Sequence, residues 1–592
     1  MPDEIPFDLS DVYSGLDDPA INKTINQLNS MVDTFIKKHQ GKIKNYDADS
    51  VLDLLIEYEK YLEVVSNLRI FAGFSFYGDM TKKESQTLYN QFKEINAINA
   101  KKLSFYNLEL GTLLLEKPDL LNNKILHNYY HYLEQIQELT IHRLTPAEEQ
   151  LVIEKDLYGV NAWSDLQSKW SSTREFEIEV EGKKEIFHMG ERNKYAINEN
   201  REVRKQASYA VSKDVVKDGE IYSYALRNIF SDWVAISKRR KYSKPIDASL
   251  LYNEIDQTIL DNMFSVIEKN VQMYKRVLKI RAKLLGLPKL APYDTIAPIP
   301  GMKDKKYSWQ EAQELILSAF SNFDQEFVSI AKDMFERKHI DATPRKGKTA
   351  GAFCSAWYAG KSSFILQSFN ENLESITTLA HELGHAIHGY LMYDKQTLIN
   401  CGYPSTAAET ASFFGELLLI DLLLNKVETK EEKIDILLRL VSRIGHVIFG
   451  LTPMYWFESD IYGAIERGEY LDYSAITKYW VSARDKIYGE EIEWYEESNS
   501  SWCLVPHYFL ANNRFYNYPY IFAQLFVYAL YQQYLKEKET FLPKFKQILS
   551  AGGSIPLNQL GEIMGLDITK PEFWELGIKQ FEYFLNELEK LI

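Results

Sequence analysis

The chain has 592 residues, enough to bury a large core and to hold several domains. Hydrophobic residues make up 45%, so it is globular, and only 28 Gly and 18 Pro favour long helices over a loop-rich all-β design. A formal net charge of −15 leaves no basic footprint and excludes nucleic acid as the expected partner.

Taken in chain order, the start (Met1 to Pro6) is acidic without an apolar core, so no secretory leader is expected. No uninterrupted apolar run reaches about 18 residues, so no membrane span is expected. Ala20 to Lys117 lacks proline. Leu52, Leu55, Ile56, Tyr58, Leu62 and Val65 recur there at helical spacing, which predicts a helical hairpin with breaks near Gly73 and Gly78. Thr145-Pro146-Ala147-Glu148 reads as a capping box that starts a helix. Phe176 to Glu181 alternates and passes through Gly182 to Ile186 and Phe187, a surface β-hairpin. Asn200 to Leu287 is helical in pattern. Pro288, Pro292, Pro298 and Pro300 then suggest a rigid connection between lobes or a channel wall. Ser355–Tyr358 and Ser363–Gln367 flank a turn with Gly360 and read as two short strands. An exposed edge there could pair with a peptide backbone, and Gly351 and Gly360 are candidates for close substrate approach.

The apolar run Ile376 to Leu391 carries His381-Glu382-Leu383-Gly384-His385. On a helix the two imidazoles lie one turn apart on one face, spaced to bind one tetrahedral Zn²⁺. Glu382 beside them suits a general base acting on the attacking water. Two histidines embedded in an apolar helix need a partner, and a metal ion provides one.

The third ligand follows by elimination. Asp394 sits in a turn before Lys395 and reads as a solvated charge. His388 and Leu391 stand where the metzincin pattern needs Gly and His, and Pro404 and Ser405 where the thermolysin pattern needs Glu. Glu409 remains, on a predicted helix that Ser405 or Thr406 can cap. Glu409, Phe413 and Glu416 share a face at i, i+4, i+7, which makes Glu416 a candidate to support a ligand. His388 is a second candidate for that supporting role.

Together these residues resemble the M3 family of zinc oligopeptidases, most of all its oligoendopeptidase F branch. The stretches that carry the likeness are Thr378–His388 and Ala408–Glu416, with Lys348–Phe353, Pro292-Tyr293-Asp294, Ala297-Pro298, Trp502 and Pro506–Phe509, and more faintly His142-Arg143-Leu144. The resemblance implies a mainly α, two-lobed helical metallopeptidase enclosing a deep channel, with a small β-sheet next to the zinc helix. It implies an N-terminal helical region over 1–110, an oligoendopeptidase F-type domain with a β-hairpin over 111–195, and a catalytic domain over 196–592. One Zn²⁺ would be held by His381, His385 and Glu409, with Glu382 as base.

The family also supplies oxyanion donors from a C-terminal His and nearby Tyr. His507 matches that His, and Phe515-Tyr516-Asn517-Tyr518-Pro519-Tyr520 resembles the tyrosine cluster. Tyr516 and Tyr518 are candidate donors and Tyr520 a candidate substrate contact. Two departures stand out: a longer gap through Leu510 to Arg514, and Pro519 inside the cluster.

The expected activity is metalloendopeptidase cleavage of internal bonds in short oligopeptides. A zinc carboxypeptidase on the same fold is the alternative, with Arg514 as the one nearby candidate for a free carboxylate. A non-catalytic peptide-binding protein is disfavoured because all four residues of the zinc centre are intact. Cys354, Cys401 and Cys503 lack disulfide or CxxC spacing, which fits a reducing cytoplasm. A monomer or weak homo-oligomer without membrane attachment is expected.

Overall fold

The computed structural model describes residues 5–302 and 305–592. Met1–Glu4, on which the expectation about a leader partly rests, lie outside the described residues. The described chain is mainly α, with one two-stranded and one three-stranded sheet. It divides into two compact units, each assembled from three stretches of chain.

The first unit comprises 1–141, 304–427 and 530–567. Its N-terminal part is a stack of long helices, Pro19–His39, Ala48–Gly78, Lys83–Lys102, Ser104–Glu116 and Tyr130–Ile141. Val32, Leu54, Leu55, Leu110, Leu114 and Leu133 close its core. Each such buried side chain contributes about 1.5–3 kcal/mol of transfer free energy. The expected break at Gly73 does not occur. The Ala48–Gly78 helix runs through it, because Ile70 and Phe74 on either side pack against Trp357, Phe364 and Leu366 of the sheet. Tertiary packing outweighs the ~1 kcal/mol helix penalty of one glycine. The helix does end at Gly78.

The three-stranded sheet belongs to the same unit. Phe353–Trp357 and Ser362–Leu366 are antiparallel, with Phe353 opposite Leu366 and Trp357 opposite Ser362. Ile340–Asp341 runs parallel to Ser362–Leu366 on its other side. Phe353–Trp357 is therefore an edge strand. Helix Leu373–Tyr393 packs on the sheet through Tyr393, whose hydroxyl donates to the Ser362 carbonyl at 2.7 Å. Helix Phe541–Ala551 packs against it from the last stretch of the unit.

The second unit comprises 142–303, 428–529 and 568–592. Thr145 and Glu148 form the expected capping box, with Pro146 at the first helical position. Strands Glu175–Val180 and Lys183–His188 form the expected hairpin, and Glu181 and Gly182 turn it with φ of +52° and +77°. The whole Pro288–Pro300 stretch lies inside this unit, so it does not connect the two. It carries Asp294, which is fully buried and gripped by Arg201 (Nη2 to Oδ2, 2.7 Å) and Arg204 (Nη2 to Oδ1, 3.0 Å).

Candidate active site

Asn372 caps helix Leu373–Tyr393 by accepting the Ser375 amide at 3.0 Å. His381 and His385 fall one turn apart, and their Nε2 atoms lie 3.2 Å from each other. The facing helix, Thr410–Lys426, comes close enough to complete the group because Gly384 has no side chain. A Cβ there would lie 2.5 Å from both the Ala411 carbonyl oxygen and the Ser412 Cα. Gly415 meets the Ala380 carbonyl in the same crossing.

Glu409 sits at the junction between the short helix Ser405–Ala408 and helix Thr410–Lys426. The sequence predicts one continuous helix capped by Ser405 or Thr406. Pro404 instead occupies the N-cap position, and the break at Glu409 turns its carboxylate to the histidines. Its Oε2 lies 3.2 Å from His381 Nε2 and 3.6 Å from His385 Nε2. Ser412 Oγ donates to the same oxygen at 2.8 Å. Phe413 lies against the His381 ring at a centroid distance of 5.4 Å.

This donor set fits the implied ion. Tetrahedral Zn²⁺ with Zn–N bonds of about 2.0–2.1 Å places its ligand atoms about 3.3 Å apart. The three atoms here are separated by 3.2, 3.2 and 3.6 Å. Among the described residues, His381, His385 and Glu409 are the one group of this kind able to hold a metal ion.

The surroundings orient the ligands. Glu416 is buried, and its Oε1 lies 2.7 Å from His381 Nδ1. That contact directs the other ring nitrogen at the centre. Burial pulls the His381 pKa down, but the Glu416 hydrogen bond and charge, with Glu409 and Glu382, lift it to about 9. His385 hydrogen-bonds the Ala408 backbone, and burial, outweighing Glu409, lowers its pKa to about 4. Glu382 is 4% exposed and its Oε2 has no hydrogen-bond partner. Burial first, then Glu409 and Glu416, push its carboxyl up to about 7 against the pull of His381. A buried carboxyl with an unused oxygen and a pKa near neutrality suits proton transfer.

His388 is buried one turn beyond. It stacks on Tyr403 at 4.4 Å and hydrogen-bonds the Leu549 backbone, and burial lowers its pKa to about 3. It therefore supports the end of the helix as a neutral ring. Asp394 caps that helix and pairs with Lys361. Lys348, buried, binds Asp341 Oδ1 at 2.8 Å and fixes the chain before Gly351. Gly351 has φ +87° with open space around it. Gly360 has a packing reason instead, since a Cβ would lie 2.1 Å from the Trp357 ring. Burial, with Glu382 adding to it, pushes the Cys354 thiol well up.

A second group lies within the second unit. His507 stacks on Tyr516 at 4.3 Å and 14°. The Tyr516 hydroxyl lies 2.8 Å from that of Tyr520. Burial holds the His507 imidazole below its ordinary pKa. Tyr518 does not join them. It is fully buried, and its hydroxyl donates to the Ser249 carbonyl at 3.0 Å and accepts from Asn253 at 3.2 Å. With its hydroxyl engaged there, Tyr518 packs the second unit and does not serve as a donor beside His507. Pro519 occupies the first turn of helix Tyr518–Glu537, where proline is tolerated. Arg514 is 3% exposed, with Nη1 donating to the Tyr508 carbonyl at 3.1 Å and Nε and Nη2 buried without a hydrogen-bond partner. Its burial turns it away from a solvent-borne carboxylate.

The model of peptidase family M3 matches residues 195–580. The chain belongs to peptidase family M3. It is a peptide hydrolase whose curated relatives lie in the oligoendopeptidase F branch. Oligopeptidase PepF of Bacillus subtilis is 28% identical, across 99% of this chain and 87% of that protein. An oligoendopeptidase F homolog of Borreliella burgdorferi is 24% identical, across 99% and 98%. Among solved structures, a chain from Chlamydophila abortus designated a peptidase by inference superposes with a TM-score of 0.88 at 24% identity, covering 99% of this chain and 98% of that one. Oligoendopeptidase-F from Enterococcus faecium superposes at 0.68 and 21%, covering 96% and 98%. These likenesses carry the fold.

Sequence reasoning missed Ser412 as a holder of Glu409 and Gly384 as the condition for the helix crossing. The second was signalled: a glycine inside an otherwise strong helix asks for a close neighbour. No helix among the described residues is long and apolar enough to cross a membrane.

Proposed function

We propose that this M3 peptidase is a zinc-dependent metalloendopeptidase that hydrolyses internal bonds of short oligopeptides. The observation that carries the reading is the convergence of two imidazole nitrogens and one carboxylate oxygen at ligand spacing, beside a buried carboxyl with an unused oxygen. His381, His385 and Glu409 would hold the ion. Zn²⁺, when bound there, supplies Lewis acidity for the attack of water on a peptide carbonyl.

The remaining work falls to the chain itself. Glu382 takes the proton of the attacking water on its unused oxygen and hands it to the departing amine. Glu416 and Ser412 keep the ligands aimed. His507 and Tyr516 donate hydrogen bonds to the developing oxyanion, and Tyr520 steadies Tyr516. The Phe353–Trp357 edge offers unpaired backbone groups to an extended peptide, a grip that is blind to most side chains. The names of the relatives support oligopeptides as substrates. The family match beginning at 195 supports a catalytic segment from about residue 196. Three free cysteines support action in a reducing cytoplasm, and the protein would act there as a monomer or weak homo-oligomer without membrane attachment.

The test is cleavage of doubly blocked fluorogenic peptides of about 5 to 25 residues, with and without a chelator. Internal cleavage that the chelator abolishes is expected. Cleavage confined to unblocked C-termini would replace this reading with a carboxypeptidase.

A further inference from the structure

The chain between His507 and Tyr516 contains an uncommon backbone step. Phe515 has φ +55°, in the left-handed region that bulky side chains seldom adopt. Such a step persists only where its surroundings over-determine it. Here they do. The Phe515 amide donates to Glu458 Oε1 at 2.8 Å, in a contact buried from solvent. Its ring is held by Tyr462 at 5.3 Å and Tyr455 at 5.9 Å. Arg514, next to it, ties the loop back to the Tyr508 carbonyl, one residue after His507. Glu458 stands on helix Thr452–Glu466 and is 3% exposed. Burial pushes its carboxyl up to about 7 against the pull of Arg514 and the Phe515 amide. An oxygen of that group accepts the amide in either protonation state.

We propose that Glu458 is a positioning residue for the reaction: by holding the Phe515 amide it fixes the left-handed step that lays the Tyr516 ring against His507. The inference rests on the reading that His507 and Tyr516 serve the oxyanion. Relaxing φ at Phe515 to a negative value would rotate the next residue and swing Tyr516 off the His507 ring. The bond that matters is a single hydrogen bond, so reach is required of residue 458 and charge is not.

Two substitutions separate those properties. Glu458→Gln keeps the reach and drops the charge, whereas Glu458→Asp keeps the charge and retreats by one methylene. With a blocked peptide substrate and the metal-loaded enzyme, Gln should keep kcat within about threefold and Asp should lose about tenfold or more, each with KM unchanged within about twofold. Melting temperature should rank the other way, with Gln the less stable because it leaves Arg514 without its counter-charge. In a Tyr516→Phe background the Asp change should cost almost nothing further in kcat. Equal kcat losses for Gln and Asp, or an undiminished Asp cost in that background, would overturn the proposal. If His507→Ala and Tyr516→Phe both leave kcat unchanged, the oxyanion reading itself falls and takes this proposal with it.

Discussion

The Nδ1 of His381 lies 2.7 Å from a carboxylate oxygen of Glu416, on the helix that also presents Phe413 to the same ring. A metal ligand held this way cannot rotate or change tautomer without breaking a buried, charge-assisted bond. Glu416→Gln should therefore weaken metal binding by about 10- to 100-fold, read by competition with a chromophoric chelator. Unchanged affinity would mean that Glu416 only fills space.

Removing the unused oxygen of Glu382 is a different intervention. Glu382→Gln should lower kcat by about 10²- to 10⁴-fold while metal content by mass spectrometry stays at that of the parent. Retained turnover would assign the base elsewhere.

Gly384→Ala tests the helix crossing. Its methyl would press on backbone atoms, which cannot move aside as a side-chain tip can. We expect a loss of about 1–3 kcal/mol in denaturant unfolding together with weaker metal binding. Gly351→Ala, set in open space at φ +87°, should cost only about 1–2 kcal/mol from its backbone and leave metal binding intact.

The tyrosines give contrasting expectations. Tyr516→Phe should reduce kcat on the order of 10²-fold, as expected for the loss of one oxyanion donor. Tyr518→Phe should leave kcat unchanged and cost about 1–3 kcal/mol, because Asn253 and Ser249 lose a buried partner. The reverse ranking in steady-state kinetics would restore Tyr518 as the donor.

Asp294 sets an acid limit. Burial opposes its ionisation, but Arg201, the Ala291 amide and Arg204 prevail and hold its pKa below the ordinary aspartate range. The folded chain therefore binds fewer protons here than the unfolded chain. The stabilisation is complete above about pH 4 and is lost as pH falls through the lowered folded value. Asp294→Asn should destabilise by about 3–5 kcal/mol at neutral pH, because buried Arg204 keeps its charge without a partner, and it should flatten the acid limb of the melting-temperature profile.

The pairing of His381 with His385 on one helix face and the β-hairpin were legible in the sequence because each depends on local spacing. An i, i+4 pair, a turn and an alternating run carry their geometry with them. What stayed hidden depends on contacts distant in sequence. The break at Glu409 is set by Pro404 and by the approach of the facing helix. The continuity of the helix at Gly73 is set by the sheet residues Trp357 and Phe364. The burial of Tyr518 is set by Ser249 and Asn253, far upstream. Arg514 looked available for a substrate because its partners, Tyr508 and Glu458, come from a loop and a helix that periodicity cannot bring together.

Helix Phe541–Ala551, which packs on the helix bearing His381 and His385, leaves the ribosome some 150 residues after those histidines. The nascent chain therefore carries two exposed imidazoles for many seconds at about 5–20 residues per second before the first unit can close. Neither unit is a continuous stretch, so a single nick or truncation cannot liberate either one intact. The His381, His385 and Glu409 group should therefore gain its full packing only after the helix ending at Ala551 has been made.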